Sequence, residues 1–308
     1  MKNLFIFIII LFSLPLKAEL KQSDITQVIM LGTGTPFNDA EHRGQSIAII
    51  VKGNVYLVDF GPGLMRQMDA AKNKGFKYFP SDTIRPTFIK KAFLTHLDSD
   101  HTMGIAELLL TPWTLGRKVP LDIFGPPNTE TLVEGILNAY QTDIKHRLNG
   151  AQPANKNGYK ANVTIIKKEG EVYKDEFVTV EAFNVRHGDW ADGHALGYKF
   201  TTPDRVIVLS GDTTYDEEVI KNYEGADILI HEVYSLVGLF KRSQDWITYH
   251  SKAHTSTKQL GDIARKIKPK LLVLNHILYF GTKKLDFNEE FKRSYNGNYL
   301  IAEDLDSF

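Results

Sequence analysis

The run Thr95-His96-Leu97-Asp98-Ser99-Asp100-His101 concentrates the chemistry of this chain. His96, Asp98, Asp100 and His101 occupy positions one, three, five and six of a His-x-Asp-x-Asp-His pattern, and each can bind a divalent cation. Further donors stand singly, each just past an apolar run: His187 after Phe177 to Val185, Asp212 after Val206 to Leu209, His276 after Leu271 to Leu274. Read by itself, the four-donor run also fits a polar helix N-cap with incidental histidines; the donors elsewhere tell against that. Seven oxygen or imidazole groups on one edge suffice for two cations, the shape of a binuclear hydrolytic centre. Cations about 3.5–4 Å apart and sharing one water would turn it into a hydroxide nucleophile near neutral pH.

The elements that must position these groups follow from apolar patterning. Phe88 to Leu94 reads as a strand entering the core and Ile105 to Leu115 as a helix, so the four-donor run sits on a strand-to-helix turn. Before it, Gln27 to Leu31 is an expected strand ending in Gly32-Thr33-Gly34-Thr35-Pro36. Ser46 to Val51 and Val55 to Phe60 form an expected hairpin about Lys52-Gly53-Asn54, followed by a helix from Leu64 to Lys74. The glycine loop lacks the Gly-Lys-Ser/Thr of a phosphate cradle and the third glycine of a dinucleotide fingerprint, so it reads as a tight turn. Later strands are expected at Leu121 to Phe124, Val163 to Ile166, Phe177 to Val185, Gly197 to Thr201, Val206 to Leu209, Ile228 to Ile230 and Leu271 to Leu274. Thr129 to Tyr140 and Thr255 to Ile267 read as helices, with capping boxes expected at Thr131/Glu134 and Ser256/Gln259. Asp143 to Lys160, polar and rich in Asn, Gly and Lys, reads as a mobile excursion over one face. Strands separated by helices imply a layered α/β fold whose function gathers at one set of strand ends.

The 308-residue chain contains no cysteine, which excludes disulfides and a lipid-modified N-terminal cysteine. Lys2, the apolar run Leu4 to Phe12, Pro15 and Ala18 make residues 1–18 an expected secretory signal peptide. That run falls short of the roughly 20 apolar residues that span a bilayer, so a periplasmic or secreted protein is expected. Removing residues 1–18 takes Lys2 and Lys17 from 37 basic side chains and none from 37 acidic ones, leaving 35 against 37, a net charge of −2. That balance argues against nucleic acid as the main partner. No Pro/Ser-rich linker or low-complexity tract divides residues 19–308, which read as one domain.

Several motifs recur in a recognisable order: Leu-Gly-Thr-Gly-Thr-Pro, Val-Asp-Phe-Gly-Pro-Gly, Thr-His-Leu-Asp-Ser-Asp-His, then His187, Ser-Gly-Asp-Thr, His-Glu, Ala-His-Thr-Ser and Asn-His. Together they resemble the metallo-β-lactamase superfamily, and within it the branch holding ribonuclease Z and related arylsulfatase- and phosphodiesterase-like hydrolases. The resemblance covers residues 27–280 and implies an α/β fold, a four-layer αββα sandwich of two pseudo-symmetric halves. It implies one cation held by His96, Asp98, His187 and Asp212, and a second held by Asp100, His101, Asp212 and His276, with Asp212 bridging. Asp100 would also orient the nucleophile. His254 matches the ribonuclease Z histidine that supplies a proton to the leaving group, and Glu232 matches the acid that orients it. His231 is expected to be structural, His250 fits the motif less well than His254, and His42, His146 and His194 are expected at surface or packing positions. Where the family has His this chain has Asp98, a harder and negatively charged ligand that brings manganese and iron in beside zinc, the first expectation.

Asp212 argues against a true β-lactamase, whose branch lacks an acid there, and favours phosphodiester, sulfate-ester or lactone hydrolysis. The ribonuclease Z motifs point to a phosphodiester, while export and charge balance point away from tRNA maturation. Lys145, Arg147, Lys156 and Lys160 of the expected excursion do not match a tRNA-gripping arm. The expectation is an exported binuclear metallohydrolase of small phosphodiesters or related sulfate esters, with homodimerisation and no stable membrane span. The alternatives are a ribonuclease Z-type endoribonuclease, a lactonase or other ester hydrolase, and a non-catalytic metal-binding module. A diiron redox protein is a further alternative, since relatives of that kind carry an acid at the Asp98 position, but the flavin domain they need has no counterpart here.

Overall fold

The computed structural model describes residues 25–74 and 84–308; the expected signal segment 1–18 lies outside them. The first half runs β1 (Thr26–Gly32), β2 (Ser46–Val51), β3 (Asn54–Val58), α1 (Leu64–Lys74), β4 (Lys91–Phe93), α2 (Ser99–Thr102), α3 (Ile105–Thr114), β5 (Leu121–Gly125), α4 (Thr129–Ala139), α5 (Gln141–Asn149) and β6 (Ala161–Ile165). Its six strands form one sheet in sequence order, antiparallel through β3 and parallel from β3 to β6. The second half runs β7 (Gly170–Lys174), β8 (Thr179–Asn184), β9 (Leu196–Thr201), β10 (Val206–Leu209), α6 (Glu217–Ile220), β11 (Ile228–Tyr234), α7 (Leu236–Leu239), α8 (Gln244–Ala253), α9 (Thr257–Ile267), β12 (Leu271–Leu278), α10 (Lys284–Ser294) and β13 (Tyr299–Ile301). These seven strands form the second sheet, again in sequence order.

Strand periodicity explains the layering. Along β1, Val28 and Met30 face the second sheet with Ile47, Ile49, Tyr198, Phe200, Ile207 and Val273, while Ile29 and Leu31 face α1 and α3 on the other side. Along β12, Leu271 and Val273 point between the sheets, and Leu272 and Leu274 point at α9 and α10. Strands covered on both faces must be apolar at nearly every position, which is why they read as continuous runs rather than alternating ones. The result is helices, sheet, sheet, helices: the αββα sandwich. The chain end closes one side. Val28 and Phe308 exchange backbone hydrogen bonds at 2.9 and 3.1 Å, so the segment after β13 of one sheet pairs with β1 of the other.

Three expectations change. The strand read over Phe88 to Leu94 is confined to Lys91–Phe93, because Pro86–Phe88 form a single 3-10 turn. The box at Thr131/Glu134 does not form: Asn128, left-handed at φ 73°, precedes a helix that already begins at Thr129, and the Thr129 hydroxyl donates to Pro126 O at 2.7 Å. The polar stretch 143–160 is not a loose excursion. Its start belongs to α5, where Arg147 pairs with Asp143 one turn away at 2.8 Å. Its remainder is tied to the buried Arg117, whose guanidinium donates to Gly158 O, while Asn155 donates to Arg117 O and accepts Trp113 Nε1 on its own carbonyl, each at 2.8–2.9 Å. The box at Ser256/Gln259 does form and starts α9.

Candidate metal centre

All seven donors end in one place. His96 follows β4, and Asp98, Asp100 and His101 lie at the cap and within the single turn of α2. His187 follows β8, Asp212 follows β10, and His276 lies inside β12. The β11–β12 register steps from Glu232 opposite Asn275 to Val233 opposite Ile277, so His276 is the extra residue of a bulge, left-handed at φ 46°. A bulge turns that one side chain out of the strand's alternation and toward the edge.

The donors fall into two groups. His96, His187 and Asp212 present ligand atoms within 4.8 Å of one another, and so do Asp100, His101 and His276. Asp98 Oδ2 joins the first group, 3.4 Å from His96 Nε2 and 3.1 Å from His187 Nε2. Asp212 stands between the two: Oδ2 is 3.9 Å from His96 Nε2, while Oδ1 is 3.6 Å from both His101 Nε2 and His276 Nδ1.

Hydrogen bonds behind the imidazoles fix which nitrogen faces inward. His101 Nδ1 donates to Asp59 Oδ2 at 2.8 Å, and His187 Nδ1 donates to Ala253 O at 2.9 Å. The Thr95 hydroxyl already gives its proton to Asp59, so it accepts from His96 Nδ1 at 2.9 Å. Such partners set tautomer and ring orientation behind a ligand. Asp59 is the residue that sequence reading passed over. It sat in a turn motif, and its left-handed φ of 58° is the signal that only coordinates display.

Electrostatics agree with the geometry. Burial would lower His101 and His276, but facing carboxylates, Asp100 and Asp212 first among them, outweigh it and raise both above the ordinary imidazole value. Burial likewise works against His187, yet the bond to Asp98 and the charge of Asp212 raise it to about 9. His96 is lowered, chiefly by burial and by its neighbour His101. Asp212 is held well below the usual carboxylate range because the surrounding imidazoles overcome its burial. His96 Nε2, His101 Nε2 and His276 Nδ1 are nonetheless buried with no hydrogen-bond partner among the described residues. An orphaned buried polar atom costs about 1–3 kcal/mol. Three of them aimed among carboxylates make a donor set that fits divalent cations.

A profile of the Beta-lactamase superfamily domain matches residues 54–277, the span from β3 to the His276 bulge. The chain belongs to the β-lactamase superfamily. It is 30% identical over 254 residues to "Ribonuclease Z" of Mycobacterium sp. (strain KMS), covering 82% of this chain and 84% of the relative. Among solved structures it resembles the metallo-beta-lactamase fold protein YhfI from Bacillus subtilis, with a TM-score of 0.69 and 17% identity over 93% of this chain and 99% of that one. The short form of human tRNase Z aligns with a TM-score of 0.63 and 20% identity over 92% of this chain and 98% of that one. The chain is thus a ribonuclease Z-like hydrolase of this superfamily, a fold that carries divalent metals.

In this superfamily frame the remaining expected residues also have places. His254 caps the C-terminal end of α8, with Nδ1 3.4 Å from Glu232 Oε1 and 3.9 Å from Asp212 Oδ2. Glu232 Oε1 accepts from Thr255 N at 2.9 Å and Thr213 N at 3.2 Å, clamping the Asp212 and His254 loops together. Burial lowers His254 to about 3, so the imidazole is neutral in the free protein, and burial together with the Asp212 charge raises Glu232. His231 bonds Glu232 O and packs on Tyr223 away from the centre. His42 bridges Asp39 and Glu303, His146 is exposed on α5, and His194 stacks on Trp190. His250, one turn before His254, is buried among aromatic rings.

Proposed function

We propose that this chain is an exported, binuclear metal-dependent phosphodiesterase acting on small phosphodiesters, with sulfate esters as the nearest related substrates. The observation that carries this is Asp212, whose two oxygens face different imidazole groups and so can serve two cations at once. His96, Asp98 and His187 would complete one site, and Asp100, His101 and His276 the other. Divalent cations held there, zinc first and manganese or iron with Asp98 in view, supply an activated water and a Lewis acid for the ester oxygen. Export is supported by the pattern of residues 1–18.

The chain's own groups then divide the work. Asp100 Oδ2, 2.9 Å from His276 Nε2, holds that ring and offers its carboxylate to the attacking water. His254 gives a proton to the departing oxygen. Burial keeps the ring neutral in the free protein, and an arriving phosphodiester anion favours the imidazolium, so the proton is taken up with the substrate. Glu232, fixed by two backbone amides, faces Nδ1 and sets the ring's direction.

The test is metal content and turnover on the purified chain. Two cations per chain with hydrolysis of bis(p-nitrophenyl) phosphate is the expected result. Turnover of an aryl sulfate or a lactone instead would move the substrate, and one cation or none without turnover would leave a non-catalytic binding module. The 30% identity to "Ribonuclease Z" favours one second reading, an endoribonuclease. Cleavage of a precursor tRNA faster than the small diester would establish it. On α5, Arg147 is already paired with Asp143 and not free to grip a polynucleotide, which favours the small substrate.

A further inference from the structure

Helix α8 ends on the centre. Its last residue, Ala253, accepts the Nδ1 proton of His187, and its C-cap is His254. Its position is therefore locked to one proposed ligand and to the proposed proton donor. From that end a chain of rings runs outward along the helix. His187 and His254 lie 4.9 Å apart between centroids, and His254 and His250 5.5 Å. His250 touches Tyr249 at 4.9 Å and lies stacked under Trp246 at 5.4 Å and 22°. Phe280 closes the inner side of His250 at 4.6 Å.

The outer rings are not covered. Trp246 is 56% exposed and Tyr249 42%, although burying a large aromatic ring is favourable. Tyr249 also leans toward the metal mouth. A Cβ built on Gly188, next to His187, would lie 3.7 Å from its ring, and the two line a common cavity of about 260 Å³ with Asp189, Asp245 and Lys252.

We infer that the exposed rings of α8, Trp246 and Tyr249, form a stacking subsite for the planar base of a nucleoside on the leaving-alcohol side of the substrate. The side is set by chemistry. A displacement at phosphorus runs in line, so the departing oxygen faces away from the attacking water and toward the proton donor. His254 is that donor in the reading above, and α8 extends directly from it. A base held against Trp246 and Tyr249 would leave its sugar to span the His250 ring toward His254. The rings are exposed and edge-on to each other at 6.0 Å and 80°, so a flat partner stacked on the free face of one meets the edge of the other.

This inference rests on the phosphodiesterase reading, and its test separates the two. The zinc-loaded protein is titrated with adenosine 5′-monophosphate and with ribose 5-phosphate, which differ by the base alone, and no turnover is needed. Stacking of one base is worth about 5–150-fold in affinity, so the nucleotide should bind at least about fivefold tighter. Trp246→Ala should bring that ratio close to one, and Trp246→Phe should restore most of it, which loss of folding would not do. An unchanged ratio in Trp246→Ala overturns the subsite. So does a shift in sedimentation from dimer to monomer with the ratio unchanged, because the rings would then serve a second copy. If phosphodiesters are not hydrolysed yet the ratio behaves as stated, the subsite stands and the catalytic reading falls.

Discussion

Four of the seven proposed ligands, His96, Asp98, Asp100 and His101, come from one turn after β4, whereas His187, Asp212 and His276 come from three separate places in the second sheet. The first set is held from within its own half of the fold. Thr95 and Asp59 hold both its histidines from behind, and the α2 turn fixes the spacing of its acids. The second set depends on long-range structure: a carbonyl from α8 for His187, a bulge for His276, and for Asp212 a left-handed Gly211 at φ 61° whose Cβ would strike Leu196 O at 2.4 Å. Within the first set exposure is uneven, since the Asp98 side chain is 36% exposed and that of Asp100 only 6%. One half brings a preassembled claw, and the other brings single donors that sheet packing must align. Function then depends most on the group that joins them.

The sharpest break of that comparison is Asp212→Ala, which removes the carboxylate shared by both groups. Metal analysis should find fewer than two cations per chain, and the rate should fall well beyond the ~10–100-fold typical of losing a partner behind a ligand. A variant that keeps two cations would show the halves to be independent. Next comes His254→Ala, which should slow diesters with alkyl leaving groups by about 10²–10⁴-fold and nitrophenyl diesters much less. Equal losses on both would remove it as the proton donor. Asp59→Ala tests the self-sufficiency of the first half: metal affinity should drop by ~10–100-fold through a loosened His101, read by competition with a chelator. An unchanged affinity would mean that Thr95 alone holds the claw.

The smallest effect is on stability. In metal-free protein His187 is raised to about 9 from an ordinary 6.5. A raised imidazole stabilises fully below 6.5, and that contribution is lost as pH climbs through the folded value. The partly exposed Asp98 partner discounts it to about 1–2 kcal/mol. The metal-free Tm should therefore fall by a few degrees between pH 6.5 and about 9, read by calorimetry. The metal-loaded protein should not follow, because the cation then replaces the proton. A rise in metal-free Tm over that window would contradict the Asp98–His187 pair.

Much of this was legible in the chain. Continuous apolar runs mark most of the strands, and the seven donors stand at their ends; the division into two sheets came only with the resemblance to the metallo-β-lactamase superfamily. The Ser256/Gln259 box was readable because both of its bonds are local. The similar spacing at Thr131/Glu134 misled, since the left-handed Asn128 starts the helix two residues earlier. Helix α8, and with it the ring ridge, had no strong apolar stripe, and β7 and β13 are short, half-buried edge strands of their sheet.

The sequence by itself determined which groups the chain can offer and that they lie at strand ends, because ligand chemistry and burial are written in residue type and local period. Tertiary structure alone decided how those groups divide, which nitrogen His96, His101 and His187 turn inward, that Asp59 stands behind His101, and that α8 ends on the centre at His254. Those outcomes depend on sheet register, a bulge and left-handed backbone. Their energies come from contacts between residues tens to hundreds of positions apart, which no local pattern contains.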